Sequence, residues 1–157
     1  MIEIELTDAS ETEAFGAALW QAMPDKCLMF LNGDLGAGKT TLIRGALRAA
    51  GYGGTVKSPT FSLVEEYRLN GRALFHFDLY RLKDPEELEW IGMADYLGER
   101  AWCCIEWPEM GMGQLPAADL ELTLNYVGEH RVVQINHLRG DWENSIKLHW
   151  KNKDLLL

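Results

Sequence analysis

LNGDLGAGKTT, residues 31–41, sets Gly33, Gly38, Lys39 and Thr40 at the spacing G-x-x-x-x-G-K-T, and that spacing builds a cradle for phosphate. The glycines let successive backbone N–H groups converge on phosphate oxygens, and the N-terminus of the following helix adds the positive end of its dipole. Lys39 then reaches the β and γ phosphates. The Thr40 hydroxyl, at the start of the helix, suits a magnesium ion that bridges the same phosphates. The flanks agree with this reading: residues 26–31, KCLMFL, are an apolar run of strand length, and TTLIRGALRAAGYG reads as a helix closed by glycine. A Gly-rich turn with a surface lysine is the competing interpretation, and the strand before it and helix after it count against that.

The chain has 157 residues, and 47% of them are apolar; this is the size and material of one domain, residues 1–157, with a real core. No apolar run reaches the roughly 18 residues that a membrane helix needs. The N-terminus MIEIELTDAS lacks the basic and apolar regions of a secretory signal, so the expectation is a soluble cytoplasmic protein with no membrane role. The three cysteines, Cys27, Cys103 and Cys104, lack metal-ligand spacing and sit in apolar runs, which marks them as small core residues in a reducing compartment. A formal charge of -9 argues against direct capture of nucleic acid, which needs a basic face. Any RNA is expected to be held by a partner. Arg44, Arg48 and Lys57 read as solvated charges or as a small positive patch near the nucleotide.

Residues 2–6 alternate as a short strand, and Asp8 or Ser10 is placed to cap a helix with Phe15, Leu19 and Met23 at helical spacing. Residues 61–69 and 72–80 are strand-like runs joined by Asn70-Gly71, a strong hairpin signal, so they pair antiparallel. Asp84-Pro85-Glu86-Glu87 opens a short helix, residues 101–107 form another apolar strand, and residues 120–126 and 131–137 make a late hairpin across Gly128. The tail after Gly140 is ambiguous. The fold expected is α/β: a single P-loop NTPase domain with a mixed sheet, a parallel core with antiparallel additions, flanked by helices.

A nucleotide site also needs carboxylates at strand ends. Glu106 ends the run AWCCIEW, where an acidic group can face magnesium from the tip of a core strand; the alternative is a strand's exit into solvent. Asp78 ends the second arm of the first hairpin; the alternative is a surface pair with Arg81. In Ser58-Pro59-Thr60, Thr60 is the candidate to sense the γ-phosphate, against a proline-fixed turn that needs no ligand. His76 alternates with Phe75 and Phe77, which puts it on the polar face of the sheet. Trp107 before Pro108 is either core or stacked near the site.

Together GDLGAGKTT, SPTFSLVEEY, HFDLYRL, DPEELEWIG, IEWPE and GMGQLP closely resemble the bacterial TsaE (YjeE) family, the ATPase subunit of tRNA threonylcarbamoyladenosine synthesis. The resemblance covers roughly residues 4–126. It implies ATP and Mg2+ as ligands and slow ATP hydrolysis. The implied partner is a two-protein threonylcarbamoyl transferase complex, of the TsaB and TsaD type, which meets the tRNA and transfers the group itself. By this resemblance Leu35, Gly36, Ala37, Gly38, Lys39 and Thr40, with Thr41 beside them, fall on the phosphates, and Thr40 and Glu106 on magnesium. Asp78 takes a role in hydrolysis, Thr60 matches the first switch, and Ala9, before the first helix, lies near the adenine. Phe61 and Ser62 stand where many relatives carry tyrosine and threonine, and Trp90 where phenylalanine is frequent. None of these removes a phosphate or metal ligand.

Two rivals belong to other classes. A small-molecule kinase would bring several arginines over the phosphate from a lid, and no arginine-rich insertion is present, although Arg68, Arg72 and Arg81 are available. A non-hydrolysing nucleotide sensor would share every motif except a working Asp78. A GTPase is disfavoured, because no N-K-x-D or T-K-x-D string occurs and Asp95 to Gly98 falls in a helical stretch.

Overall fold

Alternation of apolar and acidic residues lays down β1 (Ile2–Leu6), with Ile2, Ile4 and Leu6 buried. Asp8 stops the strand and starts α1 (Ala9–Ala22), its carboxylate accepting from the Glu11 N–H at 2.9 Å. Of the two candidate caps, Asp8 performs the task. The computed structural model describes residues 2–34, 36–140 and 142–150. It continues with β2 (Cys27–Gly33), α2 (Lys39–Ala49), the hairpin β3 (Val64–Arg68) and β4 (Ala73–Asp78), short helices α3 (Glu87–Trp90) and α4 (Met93–Gly98), and β5 (Ala101–Glu106). A 3-10 turn (Pro108–Gly111), β6 (Leu120–Val127), β7 (His130–Leu138) and α5 (Glu143–His149) follow.

All strands join one seven-stranded sheet in the order β1-β7-β6-β2-β5-β4-β3. The central pairs β2/β5, β2/β6 and β4/β5 are parallel, whereas β1/β7, β6/β7 and β3/β4 are antiparallel. The mixed sheet, parallel at its centre with antiparallel additions outside, is the one expected.

Both faces of the sheet are covered, as parallel strands require. On one face Phe15 and Leu19 of α1 and Leu42, Ile43 and Leu47 of α2 pack on Leu31, Leu122, Trp102 and Cys104. Trp150, just beyond α5, closes this layer edge-on to Phe15 at 5.2 Å. The ambiguous tail therefore contributes a helix to the core. On the other face Leu88 and Met93 cover Phe75, Phe77, Cys103 and Ile105, and Tyr96 meets both phenylalanine rings edge-on. α1 and α2 cross with their backbones in contact: a Cβ at Gly45 would lie 2.0 Å from the Glu13 carbonyl oxygen, and one at Gly16 2.0 Å from that of Leu42. Only glycine permits that approach.

The first hairpin is shorter than expected. Asn70-Gly71 does make the turn, closed by Leu69 N–H to the Arg72 oxygen at 2.9 Å, but residues 61–63 are not strand. Leu63 has φ 70° and its N–H bonds the Pro59 oxygen at 3.1 Å, which curls this segment before pairing begins at Val64. The helix opened by Asp84-Pro85 is likewise brief. Glu87 turns back to accept from the Lys83 and Asp84 N–H groups at 2.8 and 2.9 Å, which closes the turn leading into α3. All three cysteines are buried; burial pushes the Cys27 and Cys103 thiols up to about 12, the behaviour of inert core residues. Among the described residues no helix is long and apolar enough to cross a membrane.

Candidate functional site

β2, β4 and β5 run parallel, so their carboxyl ends open on the same side of the molecule. Register sets Leu31 and Asp78 on either side of Glu106, and the glycine loop leaves β2 two residues beyond Leu31. Within the loop the Ala37 N–H bonds the Asp34 oxygen at 3.0 Å. Gly36 and Gly38 take φ of 80° and 108°, which turns the chain directly into α2 at Lys39. The N-terminus of α2, where a helix leaves its first N–H groups without intrahelical partners, therefore lies beside the cleft that Lys39 lines. Leu35, expected on the phosphates, lies outside the described residues.

Lys39 folds inward. Its ammonium donates to the Gly33 carbonyl at 2.6 Å and pairs with Glu106 Oε1 at 3.0 Å. Both side chains are nearly enclosed, Lys39 at 7% and Glu106 at 5% exposed, so Glu106 does not mark an exit into solvent. Its second oxygen, Oε2, meets His76 Nε2 at 2.6 Å. Burial by itself would raise the Glu106 carboxyl, but the hydrogen bond from His76 and the Lys39 ammonium outweigh it and hold the group below the usual carboxylate range. Asp78 goes the other way. Burial raises its carboxyl, and the neighbouring charge of Glu106 adds to the rise against the opposing Tyr80 N–H at 3.0 Å.

A cleft of about 320 Å³ is lined by Lys39, Ser58, Thr60, Asp78, Tyr80, Arg81, Glu106 and Trp107. Four of the candidates, Lys39, Thr60, Asp78 and Glu106, thus meet in one place. The Thr60 hydroxyl is 2.8 Å from that of Ser58. Arg81 does not serve as the surface partner proposed for Asp78; its guanidinium lies over the Phe61 ring at 4.7 Å. Trp107, φ 57° and 39% exposed, packs against Tyr80 with the rings tilted by 51° and their centroids 4.9 Å apart. With Lys39 it also borders a second cleft of about 250 Å³, formed with Asn32, Asp34 and Thr123. Trp107 is a wall residue of the site and not core.

Ala37 and Gly38 are buried, and Thr40 and Thr41 are half-buried in the first turn of α2. Ala9 is exposed at the start of α1 and lines neither cleft. The expectation that His76 sits on a polar sheet face is corrected: the ring is fully buried, because β4 lies inside the sheet and is covered on both sides.

Two residues escaped the sequence reading. The Tyr126 hydroxyl donates to the Gly36 carbonyl, and Arg131 Nη2 donates to the Tyr126 oxygen at 3.2 Å. The Arg131 side chain also borders Gly38, where a Cβ would come within 3.1 Å of its Cδ and Nε. The late hairpin therefore braces the glycine loop from outside. No local signal announces a contact across so much chain.

The donor set is chemically hard. The Glu106 carboxylate, kept ionised, and the Asp78 carboxylate share the larger cleft, and the Thr40 hydroxyl, which lines neither cleft, follows Lys39 in the first turn of α2; all three are oxygen donors of the kind magnesium takes. Among the described residues no group of three or more His, Cys, Asp or Glu side chains is placed to hold a metal by itself. One or two carboxylates with phosphate oxygens is the usual arrangement for magnesium, and these residues fit it.

Comparison with known proteins gives concordant results. The family model described as "Threonylcarbamoyl adenosine biosynthesis protein TsaE" matches residues 6–133. A protein of Haemophilus influenzae named tRNA threonylcarbamoyladenosine biosynthesis protein TsaE is 50% identical over 122 residues, 77% of each chain. A Synechocystis protein of the same name is 42% identical over 122 residues, covering 74% of this chain and 75% of its own. The crystal structure of Bacillus subtilis YdiB superposes with a TM-score of 0.78 at 23% identity, covering 98% of this chain and 99% of that one, and so shares the fold.

Proposed function

We propose a function for this chain on the premise that it belongs to the TsaE family of threonylcarbamoyl adenosine biosynthesis proteins. It is a magnesium-dependent ATPase, a single P-loop domain, that serves tRNA threonylcarbamoyladenosine synthesis. It acts on a two-protein transferase complex of the TsaB and TsaD type, reaches tRNA only through that complex, and does not transfer the threonylcarbamoyl group itself.

One observation carries this reading: Lys39, Thr60, Asp78 and Glu106 line a single cleft beside the N-terminus of α2. In the reading proposed here, the backbone N–H groups of the glycine loop and the Lys39 ammonium hold the β and γ phosphates. Thr40 and Glu106 would hold magnesium, which when bound neutralises charge on the β and γ phosphate oxygens. Asp78, whose carboxyl burial raises so that it binds a proton more readily than a free aspartate, orients the attacking water and takes its proton. Water oxygen bonds to the γ-phosphorus as the bond to the bridging oxygen breaks, leaving ADP and phosphate.

The Thr60 hydroxyl senses the γ-phosphate. The segment around Ser58 to Phe61 is ordered by ATP and loosened after hydrolysis, which alters affinity for the partner complex and resets it between rounds. The acidic surface, with a formal charge of -9, suits a protein that leaves RNA binding to its partners.

The test is ATP turnover by the purified chain with magnesium, alone and with the two partner proteins, with Lys39→Ala as the control. Turnover that rises with the partners and disappears in Lys39→Ala supports the proposal. Turnover indifferent to the partners refutes partner gating. Equal partner affinity with ATP, ADP and a non-hydrolysable analogue refutes the switch.

A further inference from the structure

His76 is fully buried, and the reaction above gives it no task. It lies two residues before Asp78 on β4, hence on the same face, and its register partner on β5 is Cys104, two residues before Glu106. Nε2 is 2.6 Å from Glu106 Oε2, while Nδ1 has no hydrogen-bond partner among the described residues. Geometry selects the tautomer. With the hydrogen on Nε2, the ring donates to the carboxylate and leaves only a bare acceptor at Nδ1. With the hydrogen on Nδ1, a buried donor would go unpaired, and two lone pairs would face each other across a hydrogen-bond distance.

Glu106 is thus held from two sides by different kinds of group. Behind it stands a ring fixed by the sheet; in front, Oε1 faces the Lys39 ammonium at 3.0 Å, on a long side chain at the loop. A carboxylate gripped through one oxygen has its other oxygen aimed.

We propose that His76 is a positioning residue: its Nε2–H fixes the Glu106 carboxylate so that Oε1 stays turned toward Lys39 and the glycine loop, where a divalent cation would be held. This rests on the reading of Glu106 as the magnesium-facing carboxylate. His76→Phe fills the space without a donor, and His76→Gln restores an N–H near the same place.

Two measurements test it. The first is the affinity for a non-hydrolysable ATP analogue with magnesium and with a chelator, the fold of each variant being verified by its thermal melt. His76→Phe is expected to lose about tenfold or more of the magnesium-dependent gain in affinity, the scale of one hydrogen bond to a charged group. His76→Gln is expected to recover most of it. A full gain in His76→Phe overturns the proposal, because the ring then only fills space. The second measurement needs neither nucleotide nor metal: a ring 15N spectrum of the wild-type chain, expected to show a protonated Nε2 whose signal moves in Glu106→Gln. A signal indifferent to Glu106→Gln overturns the proposal whatever the variants do. Should wild type gain nothing from magnesium, the reading of Glu106 fails by itself, and the ring spectrum still decides whether His76 grips it.

Discussion

An Asp78→Asn substitution removes one negative charge and one proton acceptor from the cleft while keeping the shape of the side chain. Asparagine retains an oxygen for the Tyr80 N–H that Asp78 now receives at 3.0 Å, so the local turn survives. The electrostatics favour the variant. Burial and then Glu106 raise the Asp78 carboxyl above its ordinary value of 3.8. A carboxyl raised in the folded state costs stability at every pH above that raised value, and the cost fades as pH falls through it toward 3.8. At pH values above the raised one, Asp78→Asn should therefore melt at the same temperature as wild type or higher. Chemistry should suffer instead. Loss of a general base lowers turnover by about 10²- to 10⁴-fold, which at roughly 1.4 kcal/mol per decade is about 3–5 kcal/mol of transition-state stabilisation. Phosphate release at saturating Mg-ATP, calorimetric nucleotide affinity and a thermal melt separate these effects. Turnover within a few-fold of wild type, at unchanged affinity, refutes the role given to Asp78. A melt lowered by several degrees refutes the electrostatic argument, since the ionised carboxylate would then be holding the fold.

Lys39→Ala should abolish tight nucleotide binding and also destabilise the chain by about 3–5 kcal/mol, because it strips a buried carboxylate of its cation; an unchanged denaturation midpoint contradicts this. Glu106 is held below its ordinary 4.5, so its ionised form contributes stability that is present above that value and is lost as pH falls through the lower folded value. The melting difference between wild type and Glu106→Gln should therefore shrink on acidification below pH 4.5, and a constant difference refutes the assignment. Gly45→Ala places a methyl 2.0 Å from the Glu13 oxygen and should cost about 1–3 kcal/mol in urea unfolding as α1 and α2 part; a neutral result means the crossing is looser than described. Tyr126→Phe removes the hydroxyl that holds Gly36 and should weaken nucleotide binding about fivefold, the worth of one neutral hydrogen bond, as read by calorimetry.

What could be read from the residues, and what could not, divides along physical lines. The β2, glycine loop and α2 unit is contiguous, so its spacing carries its own geometry. Asn70-Gly71 likewise encodes a turn in two residues. Asp78 and Glu106 were marked by their position at the ends of apolar runs, although each had a surface alternative that only burial and partners could remove. Alternation misplaces His76 because it distinguishes two faces of a strand without saying what covers them, and in a sheet buried on both sides neither face is polar. The early end of the first hairpin depends on the left-handed backbone at Leu63, which no glycine announced. Tyr126 and Arg131 acquire their meaning only from three-dimensional proximity to the loop. Local pattern marks Lys39 as a phosphate ligand, but its link to Glu106 depends on two strands that local pattern cannot align.

The strand order bears on how the chain becomes competent. β2 and the glycine loop are made early, yet β2 ends between β5 and β6, both made much later, and the loop is braced by residues of the last hairpin. During synthesis the cradle therefore exists as a sequence long before it has walls, and closing such distant pairings is the slow part of folding. A ligand that recognises only the finished arrangement stabilises finished molecules over partial ones. On the proposed reading, ATP would in this way act as a late arbiter of assembly, favouring chains whose last strands have found their places over those still waiting for them.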